Sequence, residues 1–120
     1  MIAGIGTDMI ELGRVKKACE KKHFLEKCYT DNEIQAFKDN YVALAGNFCV
    51  KEAVVKSFGT GFRGIELRQI EVLRDELGKP YVNLYDGARK MADELGVAKI
   101  YVSITNVKEY AQAFVVSEKA

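Results

Sequence analysis

The chain has 120 residues, enough for one domain that buries roughly two-thirds of its unfolded surface without disulfide or metal staples. With 48% hydrophobic and 29% charged residues, it has the apolar area to offset chain entropy, which excludes disorder. A net charge of +1 provides no global field for nucleic acid, and no apolar run approaches a membrane span, so neither partner is expected.

Residues 1–7, apolar with glycines, predict a buried strand ending near Asp8. Gly4, Gly6 and Asp8 interrupt any signal-peptide pattern. Cys19, Cys28 and Cys49 lack metal-type spacing, and an odd count of thiols fits a reduced, cytoplasmic chain. Residues 11–22 predict a helix, with Leu12, Val15 and Cys19 at helical spacing. Around it, Arg14, Lys16, Lys17, Lys21, Lys22 and Lys27 face only Glu20 and Glu26, which makes either a solvated face or a dock for an acidic partner. The sole histidine, His23, has no visible partner there, which argues against a cysteine nucleophile.

Thr30-Asp31-Asn32-Glu33 matches a capping box and predicts a short helix that turns Ile34 and Phe37 inward. Residues 41–58 carry the clearest helical periodicity, in Val42, Ala45, Phe48, Cys49, Ala53 and Val54, and stop at Gly59. A glycine-rich loop, Gly59 to Gly64, follows. Ile70–Leu73 and Tyr81–Leu84 predict a hairpin about the turn Gly78-Lys79-Pro80. An amphipathic helix over 86–95 closes at Gly96, and Ile100–Thr105 and Tyr110–Val116 predict an antiparallel pair. The order predicts a single α+β domain over 1–120: a mostly antiparallel sheet packed on one long helix, with shorter helices beside it.

Glu52 and Lys56, four apart, share a face of the long helix. They read as a surface ion pair, or, with Lys51, as a phosphate and magnesium site: the acid holds the metal and the lysines hold phosphate oxygens. The apolar neighbours Phe48, Cys49, Val50, Ala53, Val54 and Val55 favour charges that pair or bind something. Asp8 reads either as a helix N-cap or as a second oxygen ligand for the same cation. The loop at Gly59, Thr60 and Gly61 reads as a helix C-cap and turn, or as backbone amides that approach a phosphate.

The motifs, taken in order, resemble holo-acyl-carrier-protein synthases, the short type of phosphopantetheinyl transferase, over nearly the whole chain. Gly6-Thr7-Asp8-Met9-Ile10-Glu11 with Arg14 is similar to the family's N-terminal motif. Phe48-Cys49-Val50-Lys51-Glu52-Ala53-Val54-Val55-Lys56 is similar to its central motif, with Phe58-Gly59-Thr60-Gly61 in register. Gly78-Lys79-Pro80 and Val102-Ser103-Ile104-Thr105 follow in the expected order.

The resemblance implies the 4'-phosphopantetheinyl transferase fold and transfer of phosphopantetheine from coenzyme A to a serine of apo-acyl carrier protein. It also implies a homotrimer with sites at subunit interfaces. Asp8 and Glu52 would be the magnesium ligands and, with Lys56, the catalytic residues. Lys51, Lys56, Gly59, Thr60, Gly61, Pro80, Thr105 and Asn106 would bind coenzyme A. Arg14, Lys17, Lys21 and Phe24 would dock the carrier. Asn106 departs from the pattern, since the family commonly has histidine there, and an amide carries neither charge nor a transferable proton.

Overall fold

The computed structural model describes residues 1–120. In chain order its elements are β1 (Ile2–Glu11), α1 (Leu12–Cys19), α2 (Lys22–Cys28), α3 (Asp31–Ala36) and α4 (Tyr41–Phe58). Then come a 3-10 turn (Leu67–Gln69), β2 (Ile70–Arg74), β3 (Pro80–Leu84), α5 (Asp86–Leu95), β4 (Val97–Asn106) and β5 (Tyr110–Lys119). All strand pairs are antiparallel, in two sheets: β1-β5-β4, and the hairpin β2-β3. The architecture is α+β, as the sequence predicts, although the strands form two sheets.

Helix α4 is the centre of the molecule. Asn40 starts it by accepting a hydrogen bond from the Ala43 amide at 3.1 Å, and Gly59 ends it in the left-handed region at φ 73°. It is buried nearly all round, as expected of a helix enclosed by other elements. The buried residues of β5, Ala111, Ala113, Val115 and Ser117, alternate with outward Gln112 and Phe114, so one face of the sheet covers α4. Each fully buried valine or isoleucine in this core contributes about 1.5–3 kcal/mol.

Strand β1 lies backbone to backbone on α4. A Cβ added at Gly6 would sit 1.9 Å from the carbonyl oxygen of Ala53, and one at Gly4 would sit 2.0 Å from that of Ser57. Only glycine permits this approach, which brings Asp8 to the Glu52 side of the helix.

Two boundaries differ from the sequence reading. Strand β1 continues through Asp8, paired with Ala113, as far as Glu11. Asp8 is therefore a strand residue and caps no helix; α1 begins after Glu11 without a side-chain cap. The basic segment forms two helices, because Lys21 is extended (φ −97°, ψ 118°). The break turns Phe24 onto Phe48 and Tyr29, with ring centroids 6.2 and 6.1 Å apart. The capping box at Thr30 and Glu33 is present as expected.

Candidate active site

β1 and α4 bring together two carboxylates distant in sequence. The Lys56 ammonium donates to the Thr7 carbonyl at 3.0 Å and to Asp8 Oδ1 at 3.3 Å. Its partner is thus Asp8, and the expected Glu52–Lys56 surface pair does not form. Glu52 is half-buried, and its carboxyl is pushed above the usual range by burial first and then by the charge of Asp8, with Lys56 opposing. One cation against two acids leaves the cluster net negative. Beneath it, the Cys49 thiol donates to the Ala111 carbonyl at 3.4 Å. Burial and Asp8 push that thiol up to about 12, so it stays protonated and is no nucleophile.

The donor set fits a hard dication. Two carboxylates suit magnesium, which completes its shell with water and substrate phosphates. No group of three or more histidine, cysteine, aspartate or glutamate side chains is gathered to hold a metal ion.

Lys51 does not belong to this cluster. It is fully buried, and its ammonium donates to Glu33 Oε1 at 2.6 Å, to the Leu67 carbonyl at 3.2 Å and to the Ile70 carbonyl. All three of its N–H bonds are occupied, so the expectation that it binds phosphate is corrected. Successive helix residues point about 100° apart, which sends Lys51 inward where Glu52 faces the site.

The loop after α4 divides its roles. The Gly59 amide caps the helix by donating to Lys56 O at 3.1 Å. The amides of Thr60 and Gly61 make no backbone hydrogen bond, and Gly61 turns the chain at φ 66°.

Pro80 and Asn106 meet elsewhere, in a cleft of about 320 Å³ shared with Asn40, Ala43, Arg74 and Gly78. Sequence reasoning missed Arg74, which stands opposite Pro80 in the hairpin and stacks its guanidinium 5.0 Å from the Phe37 ring. A cation just before a turn already suspected of binding was the available signal. Thr105 lies outside the cleft, on the open face of β4, because strand residues alternate. Along α4, nine residues separate Ala43 from Glu52, about 14 Å at the helical rise, so the cleft and the carboxylates do not meet within one chain.

Arg14, Lys17 and Lys21 are exposed, and none forms an ion pair within the chain. Phe24 is half-buried in the aromatic cluster, so packing occupies most of its ring.

The sequence profile of the 4'-phosphopantetheinyl transferase superfamily matches residues 4–115. A curated relative, the holo-[acyl-carrier-protein] synthase of Lachnoclostridium phytofermentans, is 59% identical over 118 residues, covering 98% of this chain and 97% of its own. Among solved structures, the acyl carrier protein synthase of Plasmodium yoelii with ADP bound superposes with a TM-score of 0.90 at 33% identity, over 100% of this chain and 97% of that one. A holo-(acyl-carrier-protein) synthase of Bacillus anthracis in complex with CoA (3',5'-ADP) superposes at 0.83 and 34% identity, over 100% and 99%. The chain belongs to the 4'-phosphopantetheinyl transferase superfamily and has its fold. It is an enzyme, a phosphopantetheinyl transferase.

Proposed function

We propose that Asp8, Glu52 and Lys56 form the catalytic centre of a magnesium-dependent phosphopantetheine transfer, completed where subunits of a homotrimer meet. The reaction is that of a holo-[acyl-carrier-protein] synthase. A serine hydroxyl of apo-acyl carrier protein attacks the β-phosphorus of coenzyme A, the bond to the α-phosphate oxygen breaks, and adenosine 3',5'-bisphosphate leaves.

The observation that carries the reading is the convergence of two carboxylates and one lysine from β1 and α4. Asp8 and Glu52 would hold a magnesium ion, whose charge offsets the repulsion between the incoming hydroxyl and the pyrophosphate. Lys56, anchored on the Thr7 carbonyl, neutralises charge on the pyrophosphate as the leaving bond breaks. Glu52 accepts the serine proton, a carboxylate having two oxygens to divide between ion and proton. The amides of Thr60 and Gly61, without backbone partners, add donors for phosphate oxygens.

The trimer reading rests on the uncovered side of the three-stranded sheet. Ile5, Val116 and Tyr101 form one row across it, and Thr7, Phe114 and Ser103 the next. Ile5 is 60% exposed and Tyr101 and Phe114 are each 47% exposed, a cluster of uncovered apolar side chains of the kind that subunits cover. On this reading one chain's carboxylates would work with a neighbour's Pro80, Arg74 and Asn106, where the nucleotide end of coenzyme A would lie. Arg14, Lys17 and Lys21 then receive the acidic carrier and raise its association rate.

The test is mass spectrometry of apo-acyl carrier protein incubated with this enzyme, coenzyme A and magnesium. A gain of one phosphopantetheine on the serine is expected. Coenzyme A binding without any gain would mark a silent binding module instead.

A further inference from the structure

The two walls of the groove beside Glu52 are tied by polar contacts, buried at Lys51 and exposed at Arg68. The groove, about 450 Å³, runs between α2, with Lys27 and Cys28, and the segment bearing Phe62, Ile65 and Leu67; Glu52 lies in it. That segment is irregular from Gly59 to the 3-10 turn at Leu67, so helix or sheet hydrogen bonds do not hold it. Two cations do. Arg68 reaches out to α2 and α3, donating to the Glu26 carbonyl at 2.9 Å, the Tyr29 carbonyl, and Asp31 Oδ1 at 2.9 Å. From beneath, Lys51 grips the carbonyl of Leu67, the first residue of the turn, and that of Ile70, just after it.

Lys51 is itself held by a network. Glu33 Oε1 accepts from Lys51 and from the Thr30 amide at 3.0 Å, and Glu33 Oε2 accepts from Asn47 Nδ2 at 3.0 Å and the Val72 amide at 3.3 Å. α3, α4 and the start of β2 are thereby locked at one relative setting. A buried ion pair adds little net stability over apolar residues of similar volume, and its attested use is to fix one arrangement among alternatives. Here the arrangement it fixes is the groove wall across from the neighbouring residue, Glu52.

We propose that Lys51 is a positioning residue: through the carbonyls of Leu67 and Ile70 it sets the Phe62–Leu67 wall against Glu52, and so fixes where the serine-bearing segment of the carrier meets the proton acceptor. This deepens the proposed transfer and rests on it. Lys51 touches neither coenzyme A nor the metal ligands; its effect falls on the acceptor side.

The test uses the full-length enzyme with Lys51→Met and Glu33→Gln combined, since removing either partner alone strands a buried charge and can unfold the protein. The paired replacement is expected to fold, with KM for coenzyme A within about twofold of wild type and kcat/KM for apo-carrier about ten- to a hundredfold lower, the range for displaced supporting residues. Amide hydrogen exchange should quicken across residues 62–70 while α4 stays protected. A folded double variant with wild-type carrier kinetics would overturn the proposal. So would failure to fold, equal losses for both substrates, or unchanged exchange at 62–70. Wild-type enzyme in the same assay separates the two claims: if it shows no transfer, the functional reading fails, and the exchange arm alone decides the structural one.

Discussion

Replacing Gly6 by alanine asks whether the contact of β1 with α4 is what places Asp8. The new Cβ would lie 1.9 Å from the Ala53 carbonyl oxygen, whereas real Cβ contacts keep beyond 3.0 Å, so strand and helix must part by about 1.1 Å. The obstacle is backbone, which no rotamer change relieves. Asp8 is two residues along the same strand face and Ala53 adjoins Glu52, so the retreat opens the gap between the carboxylates. It also stretches the 3.3 Å contact of Lys56 with Asp8 out of ion-pair range. A displacement of about 1 Å among reacting groups costs about 10²-fold in rate, and overpacking of this kind costs about 1–3 kcal/mol. Gly6→Ala should therefore keep the wild-type circular dichroism, lose roughly 5–15 °C in Tm, and turn over carrier about a hundredfold more slowly. Gly13→Ala is the control, since its Cβ meets nothing within 4 Å; it should stabilise by about 0.4–1 kcal/mol and leave turnover unchanged. Wild-type turnover by Gly6→Ala would refute the placement of Asp8 by this contact.

Glu52→Gln should abolish transfer yet stabilise the metal-free fold near neutral pH. Because the folded pKa of Glu52 is raised above 4.5, its ionisation disfavours the fold, and the stability it contributes below that value is lost as pH climbs through the raised pKa. The Tm advantage of the variant should accordingly grow between pH 4 and pH 7 by calorimetry; a flat or inverted difference contradicts the assignment. Lys17→Glu with Lys21→Glu should raise KM for the carrier several-fold and flatten its salt dependence, leaving KM for coenzyme A in place. Equal salt sensitivity for both substrates in the wild type would count against docking on this basic segment. Phe114→Lys, aimed at the open sheet face, should dissociate the proposed trimer in sedimentation velocity and remove activity with it. An active monomer would show that each chain carries a whole site.

Much of this was legible in the sequence where the signal is local. The periodicity of 41–58 and Gly59 mark α4 to the residue, and Thr30 with Glu33 marks the start of α3. The alternation on each side of Gly78-Lys79-Pro80 gives the β2–β3 hairpin. What the sequence hid depends on long-range partners. Lys51 beside Glu52 reads as half of a charged site, and nothing nearby reveals that its acceptor, Glu33, lies 18 residues away. Asp8 reads as a strand end until Ala113, at the far end of the chain, pairs with it. The run of lysines carries no break signal, so the first helix reads on through residue 22 and α2 goes unread; packing of Phe24 on Phe48 makes the turn.

The central claim, that Asp8 and Glu52 together hold a divalent cation against the pyrophosphate, is tested most directly by calorimetric titration of magnesium into the enzyme saturated with coenzyme A. One ion per active site is expected for the wild type, with affinity at least about tenfold weaker in both Asp8→Asn and Glu52→Gln. Undiminished magnesium binding in either variant would contradict it.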